Sequence, residues 1–314
     1  MLGKAEFRGG LLTLGGLLLV VLALIQFQPG FPGELLLQSL RFHILAAGFV
    51  LALLIVTLGA RWRGGALMLV VLAVAVHDAR YVLEFQNRRF EPSGAPLTQF
   101  EFLSFNVLTG NRTSTELVDA IVADPPDVAL IMETPGIEEH LERLAQALPH
   151  RAGCDDPRKC DISLHSRIPF ESVEVRTLPP LNRQRLVIGK LNLDGQSVTI
   201  VGVHLTKPHY DGISEAELWH INRVLEGIDG PLVLAGDFNA ASWSSTLLRI
   251  GERQNLAPGP WQPATWPVRL GPLGVPIDNM FTRGSAQLIH LETGDSIGSN
   301  HRPLRAVVGL YGEP

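Results

Sequence analysis

Cysteine is nearly absent from this sequence: Cys154 and Cys160 are the only two in 314 residues. Two thiols cannot close a zinc site, which needs about four ligands. They either bridge across the polar stretch from Asp155 to Lys159 or stand as free thiols. A bridge requires an oxidising compartment and a suitable Cα separation. A basic surplus is absent as well. Lys and Arg number 26 against 31 Asp and Glu, a formal net charge of −5, so no broad basic face exists to wrap a polyanion. That argues against tight nonspecific nucleic-acid binding, although a bound cation or a local cluster still holds a single phosphate. The C-terminal part has no internal repeat, which excludes a repeat array.

What the chain does have is unevenly placed. Its 46% apolar content is ordinary overall, but the first eighty or so residues gather it into long uncharged runs. Leu11 to Phe27 and Ile44 to Ala60 each approach the roughly 20 residues that span a bilayer core. Gly64 to Val76 is a third apolar run. It reaches only roughly 20 Å as a helix, so it spans only by recruiting His77, Asp78 or residues beyond. Lys4 and Arg8 precede the first run as in a signal peptide, but no small-x-small cleavage site follows Phe27 and more apolar runs come after, so the segment reads as an uncleaved anchor.

Lys4 and Arg8 lie before the first run, and Arg61 and Arg63 lie between the second and third. The positive-inside rule puts both sites in the cytoplasm, the loop from Gln28 to Arg41 outside and, with three crossings, everything after Asp78 outside. A multi-pass protein of a bacterial inner or plasma membrane with an extracytoplasmic domain is expected, and that side permits a disulfide. If the third run is only re-entrant, the side reverses. Residues 1–80 thus read as the anchor, 81–97 as a linker ending in Glu91, Pro92, Ser93, Gly94, Ala95 and Pro96, and 98–314 as a separate C-terminal domain.

The C-terminal domain alternates strand-like and helix-like stretches. Strands are expected at 100–107, 128–132, 162–166, 172–178 and 186–193, then a turn at Asp194 and Gly195 with a hairpin partner at 197–204. Further strands are expected at 232–235, 279–282, 287–291 and 304–310, and helices at 114–123, 137–148 and 214–226. Such mixed elements suggest a layered sandwich. Polar residues recur where apolar strands end: Asn106, Glu133, His204, and Asp237 with Asn239. A single strand-end Asn or Asp is usually a turn or cap residue. Four strands sharing the pattern point to one polar sheet edge.

The segments LSFNV around Asn106, LIMETP around Glu133, VGVHL around His204, LAGDFNA around Asp237 and Asn239, PIDNMF around Asp278 and GSNHRPL around His301 follow one another in this order. In that order the chain resembles the endonuclease/exonuclease/phosphatase superfamily, in particular bacterial members with several membrane spans before the catalytic domain. The resemblance implies an α+β fold, a four-layered α/β/β/α sandwich (DNase I-like), preceded here by the membrane-spanning helical region. It also implies phosphoester hydrolysis by water with Mg²⁺ or Mn²⁺. Glu133 and Asn106 would be the metal ligands, consistent with the preference of hard dications for oxygen. Asp237 would orient or deprotonate the water, and Asn239 would donate its amide to the phosphoryl oxygen without repelling it. Asp278 would fix the His301 tautomer, and His204 would add a second donor to the phosphate.

One position departs from the family. The residue before the final histidine is usually aspartate, and here it is Asn300. A neutral amide at the metal holds a dication less tightly.

Substrate contacts are expected from the loop starting at Lys207 (Lys207, Pro208, His209, Tyr210, Asp211, Gly212) and from Arg183 and Arg185 in the stretch 182–185. Trp243, Trp261 and Trp266 fit core packing first, and base stacking or lipid contact second. A lipid-linked or small phosphoester is the expected substrate and the lipid bilayer a partner, since a membrane tether raises the local concentration of such head groups. Extracytoplasmic cleavage of DNA or RNA is the alternative, and a catalytically weakened binding module the second. No protein partner is implied.

Overall fold

The computed structural model describes residues 3–89, 94–156, 160–208 and 212–312. The chain divides into two compact units, Met1–Glu84 and Phe85–Pro314.

In the first unit the apolar runs are helices: α1 (Lys4–Phe27), the short α2 (Glu34–Ser39), α3 (Arg41–Thr57) and α4 (Arg61–Gln86). Two of them, α1 and α4, are long and apolar enough to cross a membrane, and α3 is shorter. The third apolar run therefore does extend past Val76. From Arg80 to Gln86 the sequence has no Gly or Pro, so nothing stops the helix, and the residues 81–86 read as linker are helical. Glu91, Pro92 and Ser93 lie outside the described residues. Leu22, Leu45, Ala52, Ile55, Leu67 and Val71 form the buried seam of the bundle. The same unit holds a buried ion pair: Arg41 approaches the Asp78 Oδ1 at 3.5 Å, and the Gln26 amide donates to the same oxygen at 2.9 Å.

The second unit is built on two six-stranded sheets. The first contains β1 (Thr98–Asn106), β2 (Val128–Met132), β3 (His150–Ala152), β4 (Ile162–Ser166), β11 (Ala286–Thr293) and β12 (Leu304–Leu310) in the order β11-β12-β1-β2-β4-β3. The second contains β5 (Phe170–Leu178), β6 (Arg183–Leu193), β7 (Gln196–His204), β8 (Leu232–Asp237), β9 (Ala257–Pro258) and β10 (Asp278–Arg283) in the order β5-β6-β7-β8-β10-β9. Alternate residues of both sheets meet in one core: Phe100, Phe102, Leu130 and Leu164 from the first, Val187, Ile200, Val233 and Met280 from the second. Packing is close. A Cβ added at Gly202 would lie 2.3 Å from the Leu130 Cδ1, so only glycine lets the sheets approach there, and removing the Leu130 side chain should cost about 2 to 5 kcal/mol.

The other strand faces are buried too, as the run Val128 to Met132 shows, because helices cover them. Leu117, Val118 and Ile121 of α5 (Ser114–Ala123) pack on Leu103, Phe105 and Ile131 of the first sheet. Leu218, Ile221 and Leu225 of α7 (Ile213–Glu226) and Leu247 and Ile250 of α8 (Ser245–Arg253) form the buried faces of the later helices. This is the expected α/β/β/α sandwich.

Three local readings are corrected. The helix expected at 137–148 is a 3₁₀ segment, Thr134–His140, and one α turn, α6 (Leu141–Leu144). Ile137, Leu141, Leu144 and Leu148 are buried as their spacing requires, but periodicity reports which face is buried and not how tightly the chain is wound. Arg183 and Arg185 lie on β6 and not in a loop, because the β5–β6 turn closes within Leu178 to Asn182. Trp261 and Trp266 are exposed, at 74% and 38%, and not core residues. They stand in a proline-rich stretch that belongs to no sheet. The β6–β7 turn is as read, with Asp194 and Gly195 both at positive φ.

Candidate active site

The topology brings the motif residues to one edge of the sandwich. Strands β1 and β2 pair in parallel with Asn106 opposite Met132, so Asn106 and the following Glu133 leave the first sheet together. Strands β7 and β8 pair in parallel with His204 opposite Asp237. Antiparallel β10 enters from the same edge with Asp278 opposite Asp237, and β12 begins beside β1 just after His301. Gly236 makes the second pairing feasible. Its φ is 142°, and a Cβ there would lie 1.8 Å from the Val203 carbonyl oxygen.

At the centre is Asp237, almost wholly buried. Its Oδ1 accepts the Asn239 backbone N–H at 2.8 Å, and its Oδ2 accepts the Asn106 amide at 3.1 Å. Two histidines flank it, each tied through its Nδ1 to a carboxylate. His204 Nδ1 lies 2.6 Å from the Asp161 Oδ2, and His301 Nδ1 lies 2.8 Å from the Asp278 Oδ2. Both Nε2 atoms then stand 3.8 Å from the same Asp237 Oδ2. Asp237, Asp278 and His301 offer ligand atoms all within 4.8 Å of one another.

Glu133 adds a fourth carboxylate. It has a positive φ of 53°, a costly conformation for a non-glycine that persists where surrounding contacts fix it. Its Oε2 accepts the Thr109 N–H at 2.7 Å and its Oε1 the Asn106 amide at 3.2 Å. The Asn106 Oδ1 accepts the Leu108 N–H at 3.1 Å and keeps a second lone pair.

The electrostatics follow from this crowding. Burial opposes charge on Glu133, but the Thr109 hydrogen bonds, nearby His204 and the Asn106 amide hold its carboxyl below the ordinary value. Asp237 moves the other way, raised by burial and by the negative charge of Asp278, with His301 and His204 offsetting part of the effect. Burial works against protonation of both histidines, yet His204 is raised by Asp161 and then Asp237. His301 is raised to about 9 by Asp278 and Asp237.

The arrangement fits a dication. Asp237, Asp278 and His301 bring their ligand atoms together, Glu133 is linked to Asp237 by the Asn106 amide that donates to both, and Asp161 lies behind His204 on its Nδ1. The Asp278 Oδ1 is buried with no hydrogen-bond partner among the described residues, an unsatisfied acceptor of the kind a hard cation takes up. Glu133 with Asn106 forms one side of this donor set and Asp237 with Asp278 the other.

Not every expected residue joins the cluster. Asn300 is exposed, and its backbone oxygen accepts the Val268 N–H. Lys207 and Arg183 are exposed. Arg185 is engaged with buried acids, its Nε 3.3 Å from Asp161 and its guanidinium 3.8 Å from Glu217, so it supports His204 through Asp161 and is not a free grip for substrate. The Asn239 amide donates to the Leu205 carbonyl at 2.8 Å, leaving one hydrogen for another acceptor. His209, Tyr210 and Asp211 lie outside the described residues.

Two contributors escaped the sequence reading. Asp161 sits in the polar stretch next to Cys160, and only the tertiary fold pairs it with His204. The neighbouring Cys154–Cys160 disulfide, with Cα atoms 4.5 Å apart, closes the loop just before it. Ser299 donates to the Asn106 carbonyl at 2.7 Å and accepts the His301 N–H at 3.0 Å, fastening the histidine to the end of β1. A serine two residues before a histidine was its only signal.

A model of the Endonuclease/Exonuclease/phosphatase family matches residues 103–301, a span that contains every member of the cluster. No curated protein matches. Among solved structures, the chain is similar in fold to an endonuclease/exonuclease/phosphatase from Beutenbergia cavernae (19% identity, 69% of this chain and 72% of that one, TM-score 0.56). It is also similar to D. rerio TDP2 complexed with single-strand DNA product (17% identity, 68% and 99%, TM-score 0.56). A third similar structure is a Staphylococcus aureus beta toxin mutant with bound magnesium ions (14% identity, 68% and 100%, TM-score 0.51).

Proposed function

The chain belongs to the endonuclease/exonuclease/phosphatase family, whose members are typically metal-dependent phosphoester hydrolases, and from that premise we propose that it hydrolyses a lipid-linked or small phosphoester beside a membrane. The observation that carries the chemistry is the pair of histidine–carboxylate couples, His204–Asp161 and His301–Asp278, with both Nε2 atoms 3.8 Å from one oxygen of Asp237. A tetrahedral phosphoryl group placed over Asp237 would meet a donor from each side.

In this reading Glu133, with Asn106 beside it, holds Mg²⁺ or Mn²⁺, and Asn300 lies in the outer surroundings of the ion. The ion, when bound, polarises the phosphoryl oxygen and offsets charge on the departing alkoxide. Asp237 orients the attacking water and accepts its proton, a role helped by the upward shift of its pKa. His301 and His204 donate to non-bridging oxygens as negative charge builds, and Asp278 and Asp161 fix which nitrogen faces the phosphate. The remaining amide hydrogen of Asn239 adds a neutral donor.

The lipid-side preference rests on the apolar helices and on the acidic balance of the chain, which disfavours a dedicated DNA or RNA enzyme. With Lys4, Arg8, Arg61 and Arg63 kept inside, three crossings put the catalytic unit outside. Turnover of bis-p-nitrophenyl phosphate by the full chain with and without Mg²⁺ tests the chemistry. We expect Mg²⁺-dependent turnover that falls about 10³-fold in Asp237→Ala. Absence of any metal-dependent turnover would favour a binding module weakened at Asn300, and turnover of DNA in preference to phospholipid would favour the nuclease reading.

A further inference from the structure

The stretch between β9 and β10 is chemically unlike the rest of the catalytic unit. From Gly259 to Ile277 it contains no acidic residue, five prolines and one cation, Arg269. Its large side chains face outward: Trp261 and Leu273 are 74% and 73% exposed, and Leu270 and Trp266 are also exposed. The stretch is fastened at its base, where Trp266 and Val275 exchange backbone hydrogen bonds of 3.1 and 2.6 Å. Residues 267–274, with Leu270 and Leu273, form a projecting tip.

This tip stands at the mouth of the candidate site. The Val268 N–H donates to the Asn300 carbonyl, the Arg302 N–H to the Thr265 carbonyl, and the Asp278 N–H to the Thr265 hydroxyl. Beside the tip lies a cavity of about 240 Å³ bounded by Trp243, Trp261, Pro263, Pro272, Pro276 and Arg302, the last of these next to His301 in the chain. Gln262 also lines it, and its Oε1 is buried without a hydrogen-bond partner among the described residues. Among the described residues neither Arg302 nor Arg269 has a side-chain ion pair. The cavity therefore offers the Gln262 acceptor and the Arg302 guanidinium behind an apolar rim.

We propose that residues 261–273 form a rim that docks on the phospholipid bilayer and leads a head group toward His301. Three observations favour lipid over a nucleic-acid strand. The exposed set includes the aliphatic Leu270 and Leu273, which a hydrocarbon phase takes up and a base does not stack on. Tryptophan beside arginine is the composition suited to the interface, the ring at the head-group level and the guanidinium on phosphate. The chain also carries its own apolar helices, two of them long and apolar enough to cross a membrane. The proposal rests on the lipid-side reading of the same active site, but its test does not depend on turnover.

The experiment uses the full chain in nanodiscs of phosphatidylcholine and phosphatidylglycerol, with and without bromine on the upper acyl chain, and reads tryptophan fluorescence. Wild type should be quenched by the brominated lipid. The quenched fraction should fall by about half in Trp261→Phe/Trp266→Phe, because five tryptophans share the signal, and should also fall in Leu270→Ser/Leu273→Ser, where all five remain. Bis-p-nitrophenyl phosphate turnover should be unchanged in both variants. Equal quenching in wild type and both variants would overturn the proposal. So would protection of these tryptophans by a single-stranded oligonucleotide with no effect of brominated lipid. Quenching without turnover would leave the docking rim standing and remove the hydrolase reading, and turnover without rim quenching would do the reverse.

Discussion

The two units treat buried charge in opposite ways. In the N-terminal helices the buried Asp78 carboxylate meets the buried Arg41 guanidinium, with Gln26 as an extra donor, so these two buried charges offset one another. In the second unit Glu133, Asp161, Asp237 and Asp278 gather around two histidines whose pKa values the neighbouring carboxylates raise, and two imidazoles cannot offset four carboxylates. Balanced charge in the first unit fixes how helices meet. Unbalanced charge in the second is retained at an energetic cost, which is the condition under which a dication binds usefully.

The largest expected effect lies in the balanced region. Asp78→Leu strands the Arg41 guanidinium in an apolar bundle and should destabilise the detergent-solubilised chain by about 3 to 5 kcal/mol, whereas Arg41→Leu with Asp78→Leu should come close to wild type. Thermal unfolding of the three proteins decides it. A double variant no more stable than the single one would show that the pair does not balance itself.

In the unbalanced region, pH is the lever. His301 has a folded pKa of about 9 against an ordinary 6.5. Its contribution is fully present below pH 6.5 and is lost as pH rises through 9, at most about 3 kcal/mol. His165, buried on β4 with its Nε2 2.8 Å from the Ser163 hydroxyl, is lowered by burial and by Arg151 to about 3. Its contribution is present above pH 6.5 and is lost as pH falls toward 3, at most about 5 kcal/mol. Melting temperature in EDTA should therefore fall on both sides of neutrality. His301→Gln should flatten the alkaline limb alone and His165→Gln the acid limb alone; no change in either limb would contradict the assignment.

A smaller effect is expected at the rim of the cluster. Asn300→Asp adds one carboxylate to a surface already negative and should tighten Mg²⁺ binding about three- to ten-fold. Unchanged or weaker binding would remove position 300 from the surroundings of the ion.

Much of this was legible in the sequence, and the gaps have physical causes. Strand ends were readable because Asn106, Glu133, His204 and Asp237 each interrupt an apolar run, and a strand leaving a core has to announce itself that way. Which strand ends meet depends on register, such as His204 opposite Asp237, and no local pattern encodes it. Asp161 was missed for that reason, and Arg185 was misassigned because a partly buried arginine and a solvated one look alike until Glu217 is placed beside it. The helix α8 was missed although Leu247 and Ile250 are its buried positions, since nine residues give too few turns for periodicity to stand out. Apolar runs in the N-terminal unit were legible by length alone, but where α4 ends was not.

Whether the strand-end carboxylates form a dication site is decided by calorimetric titration of Mg²⁺ or Mn²⁺ into the metal-free full chain. Binding should be saturable, should tighten from pH 6 to pH 9 as His301 gives up its proton, and should be lost or weakened at least about 10-fold in Glu133→Gln. Absence of saturable binding, or binding that Glu133→Gln leaves unchanged, would contradict a dication site there.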